Sequence, residues 1–599
     1  MAAPSLPVAS LAGGGTVALG SRGLTITAGG TVFSGSLVDG GAGGSLTIAG
    51  GTTTLTGTST YSGATIINGG MLVVNGALSG TSAVVVNGGT LGGNGLLPSL
   101  TIAAGGSVAP GNSIGTINIS GSLTLAAGST TSIEVQGSAI DRINVTGNAA
   151  LGGTLRLLPL GGPYSFNTPY IIIQAGSVSG SFAAVTTSGD FGAGVTSRVS
   201  VSGTQVQLAL APAFLASPTA SSFPTYNLRA TAGALDAAIR AGGNLNPFFR
   251  VYNQPASRIG LAVNQLSGEV ATSTGAMGFA SGEQFLATVL DPLGYGRESM
   301  MGGRLRPGGD GTDAVPNRKQ YAVWGTATGA YNRTTGDSQD GSASRTTRTA
   351  GFALGFDHLV GAQSMAGVAI AGGESSASVA SGQGSATANF GQIGAYGSTR
   401  LGSFTLAGAG AFTFMDVDTK RTLYFLGSDQ QRAGFNAQVY SLRAELRQDG
   451  IAAGGFRFQP VAAVQWQQVN NQGYTETSSV TGTALGVTVA GQSQTSLRTE
   501  LGGQMQGAAL LGGVPVQGFL RAAWAYYLTR DASMGVGFAS LPNAGFTVRG
   551  ARADASAALV SAGLEAPIRP GLMLGARVDS EFSGNVTQVA GTARLRYAF

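Results

Sequence analysis

The chain has 599 residues, of which 10% are charged, with a net charge of +5 and a mean hydropathy of +0.21. One hundred glycines, one histidine and no cysteine exclude a disulfide framework and thiolate chemistry. No uncharged apolar run reaches the roughly 18 residues of a membrane-spanning helix, and Gly-X-Y collagen periodicity is absent.

In chain order, the opening MAAPSLPVAS has neither the basic nor the apolar region of a signal peptide. An exported form of the protein is therefore expected to be a mature or shortened one. Residues 11 to about 210 carry short β-rich runs between glycine turns: LTITAGG (24–30), SLTIAGG (45–51), TIINGG (65–70), MLVVNG (71–76), AVVVNGG (83–89), LTIAAGG (100–106), TINISG (116–121) and SLTLAAG (122–128). Recurrence near ten or twenty residues predicts a stacked solenoid, each rung burying its inner face on its neighbours. A right-handed parallel β-helix of roughly nine rungs fits, about 4.8 Å apart. Asn68, Asn75 and Asn87, each before glycine, are expected at turns where positive φ is cheap.

Residues 211–318 change character. Asn227 to Arg240 places Leu228, Leu235, Ala238 and Ile239 at helical spacing before Gly242-Gly243. Pro255 to Leu290 also reads as helix, weakened around Thr272–Gly278 and ended by Asp291-Pro292. Such a mildly apolar helix suits a polar lumen, not lipid. Residues 293–318 form a Gly, Pro and Arg-rich tether.

From Tyr321 onward the period is two. Strands are predicted near 320–334, 346–358, 364–376, 387–400, 403–418, 430–448, 455–470, 492–511, 514–530, 550–566, 571–583 and 586–599. Twelve is an even number, as single-chain outer-membrane barrels require. Connections after even strands are short and those after odd strands mostly long and polar, an asymmetry a soluble sandwich has no reason to show. In the last strand Val589, Gly591, Ala593, Leu595, Tyr597 and Phe599 share one face; Arg594 and Arg596 lie on the other. Loop parity puts Phe599 on the periplasmic side.

GGTTTLTGTSTYSGATIINGGMLVVNG (50–76) resembles the passenger-associated strand repeat of autotransporters. GGTLGGNGLLPSLTIAAGGSVAPGNSIGTINISGSLTLAAGST (88–130) resembles the repeat-to-junction region of those passengers, and SAIDRINVTGNAALGGTLRL (138–157) and YIIIQAGSVSGSF (170–182) continue it. NQLSGEVATSTGAMGFASGEQFLATVL (264–290) resembles the helical linker before autotransporter barrels. The resemblance implies an all-β type V secretion protein in three parts: a β-helical passenger (1–210), a helical linker and tether (211–318), and a twelve-stranded transmembrane β-barrel (319–599). It implies outer-membrane localisation with the passenger on the cell surface. Expected partners are outer-membrane lipid, periplasmic chaperones, the barrel-assembly machinery reading Tyr597 and Phe599, and a cell-surface or host ligand of the passenger.

The chemical inventory is thin. The sole histidine, His358, lies in the barrel, so the passenger cannot build a Ser-His-Asp triad. No cofactor or metal site is expected, and with no basic stripe no nucleic-acid partner either. Glu134 and Asp141 are candidate paired carboxylates for polysaccharide cleavage, weighed against a surface ion pair of Asp141 with Arg142. The leading expectation is a non-enzymatic adhesive or structural rod; the alternatives are that carboxylate enzyme and a porin-like channel. Arg443, Arg498, Arg521, Arg594 and Arg596 are candidate lumen arginines, with Glu445, Glu500, Glu565, Asp579, Glu581 or the linker helix as their candidate partners. The aromatics Trp324, Tyr331, Tyr396, Trp466, Trp524, Tyr526, Tyr527 and Tyr597 are candidates for interfacial girdles, or in part for lumen contacts with that helix.

Overall fold

A computed structural model describes residues 5–216, 223–293, 304–305, 312–313 and 319–599, apart from 362, 454 and 483. Most of the tether expected over 293–318 lies outside the described residues. The chain divides into two compact units, residues 1–214 with 245–259, and residues 215–244 with 260–599.

The first unit is a parallel β-solenoid of about seven turns. Its period follows from the pleat: alternate side chains point inward, and parallel stacking in register places like upon like. One inner ladder runs Ile26, Ile48, Ile67, Val86, Ile102 and Leu125, all buried. Each such side chain contributes roughly 1.5–3 kcal/mol by leaving water. The expected nine rungs are too many. Neighbouring runs such as Thr65–Ile67 and Met71–Val74 are two faces of one turn, not two turns. The asparagines also behave differently from expectation. Positive φ falls on Gly70 and Gly89, while Asn87 Nδ2 donates to Asn68 Oδ1 at 2.9 Å, so these side chains stack from turn to turn.

Two carboxylates are built into solenoid turns. Asp39 Oδ2 accepts from the amides of Gly43 (3.0 Å), Gly44 (2.9 Å) and Ser62 (2.8 Å) and from the Ser62 hydroxyl (2.6 Å), while Oδ1 accepts from Gly41 (2.8 Å). The bond from the Ser62 hydroxyl, followed by those from backbone amides, holds its carboxyl well below the usual carboxylate range. On acidification the unfolded chain takes up this proton first, so the stability Asp39 contributes is present above about pH 4 and is lost as pH falls below it. Asp39→Asn, which puts an amide group among these donors, is expected to lower the solenoid's midpoint in urea at neutral pH and to flatten its loss toward acid. Circular dichroism of the passenger reads both effects, and unchanged curves would refute them.

Asp141 is 1% exposed. Its two oxygens accept from Gly115 N and Glu134 N, both at 2.8 Å. The anticipated surface pair with Arg142 is absent: Asp141 sits just before the strand that Arg142 opens, and its buried carboxylate is committed to these amides. Burial pushes the Asp141 carboxyl up to about 7.

The last solenoid turn is covered by a later segment of the chain. Leu245, Phe248, Phe249, Val251 and Tyr252 are buried there, with the Phe249 ring 4.6 Å from Phe166 and 5.8 Å from Tyr164. Asn246 Oδ1 accepts from Phe166 N at 2.5 Å, and Gly194 N donates to Tyr252 O at 2.9 Å. A solenoid end needs such a cap because its final rung has no neighbour.

In the second unit the antiparallel strands are β1 (Tyr321–Thr334), β2 (Arg345–Val360), β3 (Ser364–Val379), β4 (Gly384–Leu401), β5 (Phe404–Leu423), β6 (Asp429–Gln448) and β7 (Phe456–Asn471). Then come β8 (Tyr474–Thr475), β9 (Val487–Val489), β10 (Gln492–Leu511), β11 (Val514–Arg530), β12 (Ser533–Phe538), β13 (Leu541–Arg549), β14 (Ser556–Arg569), β15 (Leu572–Phe582) and β16 (Val586–Ala598). Twelve of them, all but β8, β9, β12 and β13, close into a barrel through pairing of β1 with β16. Outward positions of β16 are apolar or small and exposed, whereas Arg594 and Arg596 are buried inside. β8, β9, β12 and β13 form a separate four-stranded sheet, the mouth sheet, made from the two longest connections.

Helix α1 (Tyr226–Arg240) packs on β13. Helices α2 (Phe249–Tyr252) and α3 (Ala256–Gln265) follow, then α4 (Ser273–Val289). The break anticipated at Thr272–Gly278 falls earlier. α3 ends at Gln265, Gly268 with φ +67° turns the chain into a short 3-10 helix, Glu269–Thr272, and Ser273–Gly278 is helical.

Candidate functional site: the filled lumen of the barrel

Helix α4 occupies the barrel interior and meets two unlike walls. On one side Phe285, Leu286, Val289 and Leu290 pack with Trp324, Ala353, Leu359, Met365, Tyr396 and Ala409 from β1 to β5. On the other the helix lacks side chains where it touches the barrel. A Cβ at Gly282 would lie 2.3 Å from Ser441 Oγ and 2.5 Å from Gln467 Nε2, and one at Gly278 would lie 2.7 Å from Val469 Cγ2. That contact lets Gln467 Nε2 donate to Phe279 O at 3.0 Å.

Beyond this seam lies an arginine–glutamate network. Arg443 pairs with Glu500 (2.6 Å) and Glu445 (3.3 Å), and Arg521 with Glu445 (2.8 Å) and Glu500 (3.2 Å). Arg498 pairs with Glu500 (3.0 Å), Glu581 (3.4 Å) and Glu283 of α4 (2.8 Å). At the helix C-terminus Arg577 Nη1 donates to Ala287 O (3.0 Å) and Arg594 Nη2 to Thr288 O (2.6 Å); Arg594 also pairs with Asp291 (3.0 Å). These cations meet carbonyls that no further helical turn satisfies, at the negative end of the helix dipole. Arg596 is buried opposite Trp324 in the β1–β16 register. Arg443, Arg498 and Arg521 thus form one network, and Arg594 grips the helix end.

The girdle candidates divide. Trp324, Tyr396 and Tyr527 turn inward: the Trp324 indole donates to Asp357 (3.2 Å) and Tyr396 (2.9 Å), and the Tyr527 hydroxyl donates to Glu581 (2.9 Å). Tyr331, Trp524, Tyr526 and Tyr597 are exposed on the outer surface. Tyr597 and Phe599 are each 47% exposed. Phe599 exchanges both backbone hydrogen bonds with Tyr321 (2.9 and 3.2 Å), so the final residue is paired across the seam. His358 stacks on Tyr321 with ring centroids 4.9 Å apart.

Sequence reasoning missed Glu283 as the partner of Arg498, although it is the only charged residue in α4. It also missed Arg421 and Glu476, which form the most deeply buried ion pair among the described residues, 2.6 Å long and 2% and 1% exposed.

Residues 323–579 match the family model described as Autotransporter beta-domain. The chain carries an autotransporter β-domain. No curated protein matches the chain in sequence. Among solved structures it is similar to the translocator domain of the autotransporter NalP from Neisseria meningitidis: TM-score 0.41, 12% identity, 55% of this chain and 100% of that one covered. It is similar to the β-domain of the Bordetella autotransporter BrkA (0.36, 15%, 47% and 100%). It is also similar to the transport unit of AIDA-I from Escherichia coli (0.34, 16%, 48% and 92%). The autotransporter barrel resides in the outer membrane and its solenoid passenger is exported to the cell surface. The translocator domain is not itself catalytic.

Proposed function

We propose that the solenoid acts at the cell surface as an adhesive or structural rod, exported with the help of its own barrel. In this reading residues 1–210 are the working passenger, 211–318 the linker and 319–599 the translocator. The observation that carries it is the state of the passenger's carboxylates. Asp141, one half of the candidate catalytic pair, is buried with both oxygens committed to backbone amides. Asp39 is committed in the same way. What the passenger offers a partner is long, regular, weakly charged strand faces with ladders of Asn, Ser and Thr. Cells displaying the full chain are expected to adhere to one another or to a host-type surface several-fold more than cells displaying residues 211–599. Equal adherence would sink the rod reading.

The periplasmic end of β16 fits an assembly signal. Tyr597 and Phe599 present stacked rings (5.9 Å) outward beside the seam, where the barrel-assembly machinery would meet the chain before closure. Deleting Phe599 is expected to reduce the heat-modifiable, outer-membrane form several-fold while leaving synthesis unchanged. Normal assembly of the shortened chain would remove that role.

A further inference from the structure

The chain passes between its two compact units three times, at residues 214–215, 244–245 and 259–260. Helix α1 belongs with the barrel unit, while the cap at 245–259, later in sequence, belongs with the solenoid. The connection between them, Ala241 to Asn244, is exposed at Ala241, Gly242 and Asn244.

The seat of α1 is specific. Two amides of its first turn, which no helical carbonyl can satisfy, donate into the β1–β2 connection: Tyr226 N to Gln339 O (3.0 Å) and Asn227 N to Asp340 O (2.9 Å). The Asn227 amide then pairs with the end of β13 as another strand would, donating to Arg549 O (2.7 Å) and accepting from Arg549 N (2.9 Å). The Arg549 guanidinium lies 3.7 Å over the Tyr226 ring and pairs with Asp340 at 2.7 Å. Asp236 ties the incoming chain to the helix by accepting from Leu215 N (2.8 Å) and Ala216 N (2.9 Å).

We propose that the mouth sheet is a binding surface for α1 that holds it after the chain is cut. A single break between Ala241 and Asn244 then leaves the passenger on the cell. The upstream fragment ends in α1 and keeps its seat on β13, and the downstream fragment begins with the cap and keeps its seat on the solenoid. Each fragment carries one half of each clasp. Two contacts engaged together hold far more tightly than either alone, by roughly a hundredfold or more.

The test uses the full chain in the outer membrane, with a recognition sequence for a site-specific protease inserted between Gly242 and Gly243. After cutting, the passenger fragment is expected to sediment with the cells and to be shed only on heating. Asn227→Ala with Leu235→Asp weakens the α1 seat, and Phe249→Ala weakens the cap. Each alone is expected to increase shedding several-fold, and the two combined to release most of the fragment. Heat-modifiable migration and surface display of the uncut variants establish that both units fold. Immediate release of the otherwise unaltered passenger on cutting would overturn the proposal, as would undiminished retention in the combined variant.

Discussion

Replacing Arg421 with leucine is expected to unfold the mouth sheet and leave the barrel standing. Arg421 Nε and Nη2 meet Glu476 Oε2 at 2.8 and 2.6 Å, Nη2 also donates to Leu485 O at 3.0 Å, and Nη1 reaches Gln265 O at 2.6 Å. One side chain therefore ties the end of β5, the β7–β10 connection and the end of α3. Without it Glu476 keeps only the Val487 amide (3.0 Å) as a charge-stabilising donor, in a place from which water is excluded. Leaving one partner of a buried pair uncompensated costs about 3–5 kcal/mol. The structure that must absorb this cost contains β8 and β9, two and three residues long, whereas the barrel strands pair over long ladders, such as Ala437–Arg447 of β6 on β7 and Gln517–Tyr526 of β11 on β14. In membrane-embedded protein, cleavage within 471–491 by an added protease is expected to accelerate at least about tenfold, since 1.4 kcal/mol already supplies that factor. Heat-modifiable migration should not change. A connection that stays resistant would show that something other than this pair holds the sheet.

Gly282→Leu is expected to unseat α4. Its Cβ alone would overlap Ser441 Oγ and Gln467 Nε2, and the rest of the side chain has no space to enter. Overpacking of this kind costs about 1–3 kcal/mol. Moving the helix away also breaks the Arg498–Glu283 pair and the bonds from Gln467 and Arg577. A loss near 3 kcal/mol lowers the ratio of seated to unseated helix by about a hundredfold. In planar bilayers the variant is expected to conduct through a wide pore in most openings, while the unaltered chain stays at low conductance. Equal conductance would mean that the helix is not what fills the lumen. Gly282→Ala, with a smaller clash, should fall between the two.

The barrel was legible because lipid imposes a rule on every strand: outward side chains must be apolar or small, and the backbone must pair completely. Strand limits from alternation therefore agree with β1–β7, β10, β11, β15 and β16 to within a few residues, and only β14 begins distinctly later, at Ser556. The solenoid was legible in kind and miscounted in number, because a run such as TIINGG announces a strand without saying which face of which turn it occupies. The mouth sheet was invisible. Its strands are short, and β9 finds β12 across the whole β10–β11 hairpin, a pairing no local pattern encodes. The lumen arginines and a pool of carboxylates for them, Glu445, Glu500, Asp579 and Glu581 among them, could be picked out by parity, but which arginine meets which carboxylate could not. Arg498 reaches Glu283 and Glu581 across an interior whose geometry exists only once the barrel has closed.

The solenoid has a unit of growth. Through its middle, Thr52 pairs with Met71 and Met71 with Thr90, and on the other faces Thr65 pairs with Val84, Thr58 with Ala77 and Ala77 with Leu96. All three faces advance together by 19 residues, the separation that also joins Asn68 to Asn87. Removing or duplicating one such block returns every inward side chain to an inward position, while a block one residue shorter turns a whole strand inside out. Length is therefore a property this passenger can change in steps, one complete turn at a time, without consulting the barrel that carries it.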